Sequence, residues 1–429
     1  MCEPSSTTRP ERDFHVTSGL SGYVRLLRAH GAWRFSLAGW FGRLNRVGSV
    51  VGTIVLLTAT GTPYALAGVA SAAVIVGGAI GGPAWSRAAD RWGQRVVLLP
   101  AAGAALVAAT AFTAAALTGM PFPVQVVAAF ALGLAIADPG ALVRARWMHL
   151  LGDRHDRHSA LALETALDEL AFLLGLPLLT AIAAALPGAG LLVAAALGAG
   201  GLGVLFLLRA SIPPARPAVD RGAPVAAAGW RAWLPPGVAP VIPAFVGVGV
   251  LFGFLNLSGV AVSEVAGVPA AAGLVIGAFS LGAVAAGLLW GVVARRVGST
   301  ARLVVSTLAF VALVPLVGIA HDPVGFAVLA AIAGCGVTPL MIAATSTIEE
   351  RAPLAAITVA MTWPPVAISA GNALGSIVTG GILDDGSVTA TGAVPLLGVA
   401  CALLALAVTL AARRAGRRDA ARREPAETV

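Results

Sequence analysis

Ser86-Arg87-Ala88-Ala89-Asp90-Arg91-Trp92-Gly93-Gln94-Arg95 is a short charged stretch set between two long apolar runs, at about 66–87 and 96–118. Runs of that length fit a membrane crossing. A helix rises about 1.5 Å per residue, so the roughly 30 Å hydrocarbon layer takes about 20 apolar residues. The charged stretch therefore reads as a turn in water joining two spanning helices. Gly93 supplies the positive backbone dihedral of a tight turn, Asp90 can cap the next helix or pair with an arginine, and Arg91 and Arg95 anchor the turn on anionic lipid.

The rest of the chain repeats this plan. It is 58% hydrophobic and 11% charged over 429 residues, with a mean hydropathy of +0.89. A water-soluble fold of this size could not hide so much apolar surface. Apolar runs at about 34–58, 66–87, 96–118, 124–146, 159–186 and 189–209 make a first set of six. A second six follows at about 239–262, 270–294, 301–319, 324–346, 356–381 and 393–412. The predicted class is an all-α membrane protein of twelve transmembrane helices. Its divisions are a head (1–33), a six-helix bundle (34–209), a central loop (210–238), a second bundle (239–412) and a tail (413–429). The central loop carries Pro213, Pro214, Pro217, Pro224, Pro235 and Pro236 and reads as a hinge, with Trp230 and Trp233 at the lipid interface. The tail is rich in arginine and reads as a disordered segment on anionic lipid.

The 28 basic residues are all arginine, and their positions set the topology. Arg87, Arg91, Arg95, Arg154, Arg157, Arg216, Arg221, Arg231, Arg295, Arg296 and Arg351 fall in alternate connections, with Arg9, Arg12, Arg413, Arg414, Arg417 and Arg418 in the two ends. The intervening connections, such as 60–64, 120–123, 187–190 and 384–391, hold none. Positive residues stay on the cytoplasmic side, so both termini are expected in the cytoplasm of an inner or plasma membrane. The net charge of +8 is accounted for by these anchors, and no nucleic-acid partner is expected. Cys2, Cys335 and Cys401 have no metal-ligand or disulfide spacing. The polar head lacks the apolar core of a cleavable signal peptide. With no lysine, no phosphate-binding loop exists to harness ATP, and no cofactor is expected.

Shifting the sequence by 205 positions lays the first half on the second: Gly77 meets Gly282, Trp85 meets Trp290, Arg91 meets Arg296 and Gly93 meets Gly298. A parallel duplication of six helices follows, as in transporters whose halves rock about a central site. On these residues the chain resembles the major facilitator superfamily. The Ser86–Arg95 stretch is similar to that family's Gly-x-x-x-Asp-Arg-x-Gly-Arg loop, with Ser86 in place of the first glycine. Gly291-Val292-Val293-Ala294-Arg295-Arg296-Val297-Gly298 is the fainter second copy, with Arg295 at the acidic position. The resemblance implies a solute transporter that works as a monomer by alternating access, with Asp90, Arg91, Gly93 and Arg95 as a cytoplasmic gating loop. Arg144 is a possible partner of Asp90 in that gate.

Ionised groups inside the bilayer cost several kcal/mol, roughly 2.5–3.5 or more each, so they face a cavity or one another. Arg43 and Arg46 lie three apart on helix 1, Asp138 precedes Pro139 near the middle of helix 4, and Glu164, Asp168 and Glu169 open helix 5. The resemblance places helices 1 and 4 on a central cavity and helix 5 beside it, where Arg43, Arg46 and Asp138 could meet. Asp138 is the first candidate for proton coupling, with Glu164 and Asp168 behind it; a static cluster of ion pairs is the plainer alternative. The second half offers neutral cavity candidates, Asn256, Ser258, Thr338, Thr345, Trp363, Ser369 and Asn372. Its lining favours an amphipathic or weakly cationic organic solute. Gly175-Leu176-Pro177 is a fragment of the family's antiporter motif and tilts the reading toward proton-coupled export over import. Pro139, Pro177, Pro339, Pro364 and Pro365 are expected kinks. A membrane metalloenzyme built on His149, His155, His158, Asp153 and Asp156 is the competing class, but these residues form a short solvated loop that reads as a charged linker, so neither a metal site nor an enzyme is expected. A transport-inactive sensor or scaffold is the third class.

Overall fold

The computed structural model describes residues 26–28, 31–214, 238–293, 298–352, 360–385 and 390–423, and no strand occurs among them. Most of the central loop, including Trp230 and Trp233, lies outside the described residues, as do Arg295 and Arg296 of the second-half echo. The first half comprises α1 (Ala32–Ala59), α2 (Tyr64–Trp92), α3 (Gln94–Leu117), α4a (Phe122–Leu134), α4b (Pro139–Leu150), α5a (Arg154–Leu170), α5b (Leu176–Ala185) and α6 (Ala189–Leu207). The second comprises α7 (Ile242–Val265), α8 (Ala272–Val293), α9 (Ser299–Leu313), α10 (Pro323–Arg351), α11 (Trp363–Asp384) and α12 (Val394–Arg423). Among the described residues 11 spans are long and apolar enough to cross a membrane. With α1 the layout is the predicted twelve. Helix α1 falls outside that set because Arg43, Asn45 and Arg46 dilute its apolar face.

Two spans of the first half are interrupted, each for a local reason. Helix 4 breaks at 135–138: Pro139 has no N–H to continue the ladder, and Asp138 Oδ1 accepts from Ala141 N at 3.2 Å, capping α4b. Helix 5 carries a π turn, Ala171–Gly175, just before Pro177, whose missing N–H lets the register slip. In contrast, α10 runs unbroken through Pro339. Pro364 and Pro365 are not kinks, since they occupy the first turn of α11, where a proline N–H would be unbonded anyway. The tail also differs from its expected disorder: α12 stays helical to Arg423, because alanine and arginine are strong helix formers.

The duplication has a packing counterpart. A Cβ on Gly77 would stand 2.3 Å from Phe130 O of α4a, and one on Gly282 would stand 1.7 Å from Ala331 O of α10. Both glycines thus sit where the second helix of a half crosses the fourth. Trp85 donates to Leu134 O, the carbonyl freed by the break in helix 4, at 3.1 Å. In the second half α10 is unbroken, and the Nε1 of Trp290 is buried without a partner among the described residues.

Call the end holding the start of α1, the Gly93 turn and the end of α10 the terminal face. At that face each half has its own core, Phe35, Ala89, Val97, Val143 and Leu205 in one and Val241, Phe245, Ala344 and Ile348 in the other. Toward the opposite face one core spans both, with Leu44, Val47, Ile54 and Leu176 against Leu257, Val260, Ala272 and Ile276. Gly68 of α2 likewise abuts the Ser376 carbonyl of α11. The halves are closed at the opposite face.

Candidate functional site: an arginine and carboxylate cluster in the first half

Helix α1 approaches α4b closely because two of its residues have no side chain. A Cβ on Gly39 would lie 2.5 Å from Val143 Cγ2, and one on Gly42 would lie 2.8 Å from Pro139. Arg43 is drawn into this crossing and is fully buried. Its Nη2 donates to Glu164 Oε2 at 2.5 Å and its Nε to Asp168 Oδ1 at 2.6 Å, so the i, i+4 carboxylates of α5a grip one guanidinium. Glu164 is itself buried and also accepts from Ser36 Oγ and Trp147 Nε1, each at 2.9 Å. Three helices converge on Glu164.

Asp168 is the more open acid. Its carboxylate takes Arg43 on one oxygen and Arg144 of α4b on the other, with Arg46 Nη2 at 3.8 Å. The side chains of Asp168, Arg144 and Arg46 are 20%, 33% and 45% exposed. Arg46 also lies 6.0 Å from the Phe172 ring, and Glu169 faces Ser280 of α8 in the other half. The cluster thus runs from a sealed core at Glu164 to a wetted edge at Asp168 and Arg46.

Several expected meetings are replaced by others. Among the described residues Asp138 makes no ion pair with Arg43 or Arg46; it caps α4b, and Arg43 turns to α5a, where two carboxylates are in reach. Arg144 pairs with Asp168 rather than Asp90. Asp90 is exposed and caps nothing, because the turn is made by Gly93 at φ 89, directly ahead of Gln94. Arg91 and Arg95 stack on Trp92 and Phe206, 5.4 and 5.3 Å from the ring centroids. Trp363 is the first residue of α11 and packs among Phe245, Ile348 and Ala367 at the terminal face, well away from mid-span. Asn372 has a buried Oδ1 without a partner, Asn256 is half-buried, and Ser258 reaches Thr391 at 3.4 Å.

Sequence reading missed the donors that complete the site. Ser36 and Trp147 look like ordinary members of apolar runs, although Trp147 stands one turn from Arg144 and Ser36 two turns from Arg43. Arg146 is also buried and donates to Gln94 Oε1, Leu205 O, Leu208 O and Ser211 Oγ. It closes the carbonyl end of α6, where a helix leaves acceptors unbonded.

Twelve spans in two halves, with ionised groups gathered inside and the halves packed together at the opposite face, are the architecture of a membrane transport protein. The chain matches the model of the Major Facilitator Superfamily over residues 35–363, and it belongs to that family. Among solved structures it is similar to the nucleoside transporter NupG, at 14% identity and a TM-score of 0.67 over 88% of this chain and 98% of that one. It is likewise similar to a POT family transporter in complex with 5-aminolevulinic acid (14% identity, TM-score 0.65, 89% of this chain and 96% of that one). A third is a peptide transporter POT in complex with sulfate (16%, 0.65, 90% and 95%). No curated relative matches the sequence. The family and these folds make the chain a multi-pass transporter and not an enzyme.

Proposed function

We propose that the protein moves a small organic solute, amphipathic or weakly cationic, across the inner or plasma membrane by alternating access coupled to protons, in the direction of export. Both termini lie in the cytoplasm, on the arginine-rich side, so the terminal face is the cytoplasmic one. The observation that carries the coupling is Asp168, a part-exposed carboxylate shared by Arg43, Arg144 and Arg46. A proton on Asp168 cancels its charge and takes up one of the two oxygens that hold Arg43 and Arg144, so the tie between α4b, α1 and α5a loosens and Arg144 and Arg46 are freed toward the cavity. Glu164, sealed beneath three donors, holds Arg43 in place meanwhile. Asp138 serves as a helix cap.

The solute class rests on Glu169 and Phe172 beside the cluster and on the neutral second half, which offer a cation one carboxylate and an aromatic face. The test uses proteoliposomes with an imposed pH gradient and a trapped pH-sensitive dye. Adding tetraphenylphosphonium, an amphipathic cation, should release protons down the gradient only where the protein is present. Equal proton release from protein-free vesicles, across a panel of amphipathic cations, would set the proton-coupled exporter aside.

A further inference from the structure

The opposite face is fastened by a set of polar contacts that the transport cluster does not include. Tyr64, the first residue of α2, is tied to the second half three ways. Its backbone N donates to Asp384 Oδ1 at 2.7 Å, and the next N–H, of Ala65, donates to Asp384 Oδ2 at 2.8 Å. Its hydroxyl donates to Glu264 Oε2, and its carbonyl lies over Gly380, where a Cβ would approach to 2.4 Å. Glu264 Oε1 also accepts from Thr58 Oγ1 at the end of α1, at 2.6 Å.

Helix α2 has no cap of its own. Pro63 precedes it and has no side-chain acceptor, so Asp384 caps α2 from across the molecule, where an acid is favoured by the helix dipole. These two carboxylates hold neutral donors only. No arginine occurs in 58–66, 262–272, 317–326 or 382–396. The titratable and charged groups of the surrounding elements are Tyr64 on α2, Asp384 and Asp385 on α11, and His321 and Asp322 ahead of α10; the ends of α1, α8 and α12 here supply none.

We infer that Tyr64, Glu264 and Asp384 form a latch that sets the balance between the two access states, and that uptake of protons by its carboxylates from the outer solution releases it. A protonated carboxyl presents one acceptor fewer and no charge to the α2 N-terminus, so the bonds holding α1 and α2 to α7 and α11 weaken together. Asp384 is exposed and within reach of that solution. The inference rests on the alternating-access reading above. It adds a control at the outer face, separate from the coupling acid at Asp168.

The test is electron–electron distance measurement on the full chain in lipid nanodiscs, with Cys2, Cys335 and Cys401 replaced by serine. One spin-label pair, at Met120→Cys and Val324→Cys, spans the opposite face; a second, at Val96→Cys and Glu349→Cys, spans the terminal face. The variant Glu264→Gln with Asp384→Asn should raise the ratio of outer-open to outer-closed molecules about tenfold, as expected for losing charge-assisted bonds. The terminal-face pair should shorten in step. Acidifying the parent from about pH 8 into the range where carboxylates ordinarily take up protons, about pH 4, should move both pairs the same way. The double variant should no longer respond, and His321→Gln should respond like the parent.

If the double variant does not fold, Tyr64→Phe, which removes one hydroxyl, and the acid titration of the parent carry the test. Two interconverting distances whose ratio ignores these substitutions and pH would overturn the latch while leaving alternating access standing. A single unchanging distance at both faces in every sample would overturn both.

Discussion

Helices α1 and α5a of the first half correspond to α7 and α11 of the second, yet the two pairs are joined by opposite means. In the first, Arg43 reaches across to Glu164 and Asp168. In the second, Gly371 and Gly375 let α11 settle onto α7, where a Cβ would stand 2.1 Å from Val246 O and 2.4 Å from Val250 O. At the 205-position shift, Arg43, Glu164 and Asp168 fall on Val248, Ser369 and Ala373. Buried charge among the described residues is confined to Arg43, Arg146 and Glu164. A glycine crossing has one good fit, whereas a carboxylate among several arginines can exchange partners. The duplicated halves are thus held together internally by different means, glycine packing in one and ion pairs in the other.

Substitutions that contrast equivalent positions can break this comparison. The largest effect is expected at Glu164→Ala, which leaves Arg43 buried and short of an acceptor at a cost of about 3–5 kcal/mol. Its counterpart Ser369→Ala should cost within about 0.5 kcal/mol. Thermal melting of the detergent-purified proteins checks both. Next comes Arg146→Gln, which strips the carbonyl end of α6 of its donors and should cost about 2–3 kcal/mol. Arg351, at the matching position of α10, should tolerate glutamine within about 1 kcal/mol. Gly371→Ala should follow at about 1–3 kcal/mol, because the added methyl meets backbone on the facing helix. Gly82→Ala, which points into open space, should be neutral in the same melts. The smallest effect is expected at Asp138→Asn, since asparagine caps a helix about as well as aspartate. A loss above about 1 kcal/mol there would give Asp138 a partner beyond Ala141.

The frame was legible because lipid imposes it. Span length and the Gly93 turn each follow from constraints local to the sequence, and the register of Gly77 on Gly282 marked true helix crossings. The charged cluster was legible as a list, not as pairings. Arg43 sits within reach of acids on both α4 and α5a by spacing alone, and which one it meets depends on the break at Pro139 and on Gly39 and Gly42 admitting α4b. The latch at Tyr64 left no local signal. Its donors belong to one half and its acceptors to the other, separated by 200 residues for Glu264 and 320 for Asp384.

The account stands on Asp168 as the proton-carrying acid of the first half, and proteoliposome flux of Asp168→Asn tests it most directly. The variant should lose pH-driven tetraphenylphosphonium movement and keep exchange of the labelled cation against the unlabelled one, while Asp138→Asn keeps both. Undiminished pH-driven movement in Asp168→Asn would contradict it.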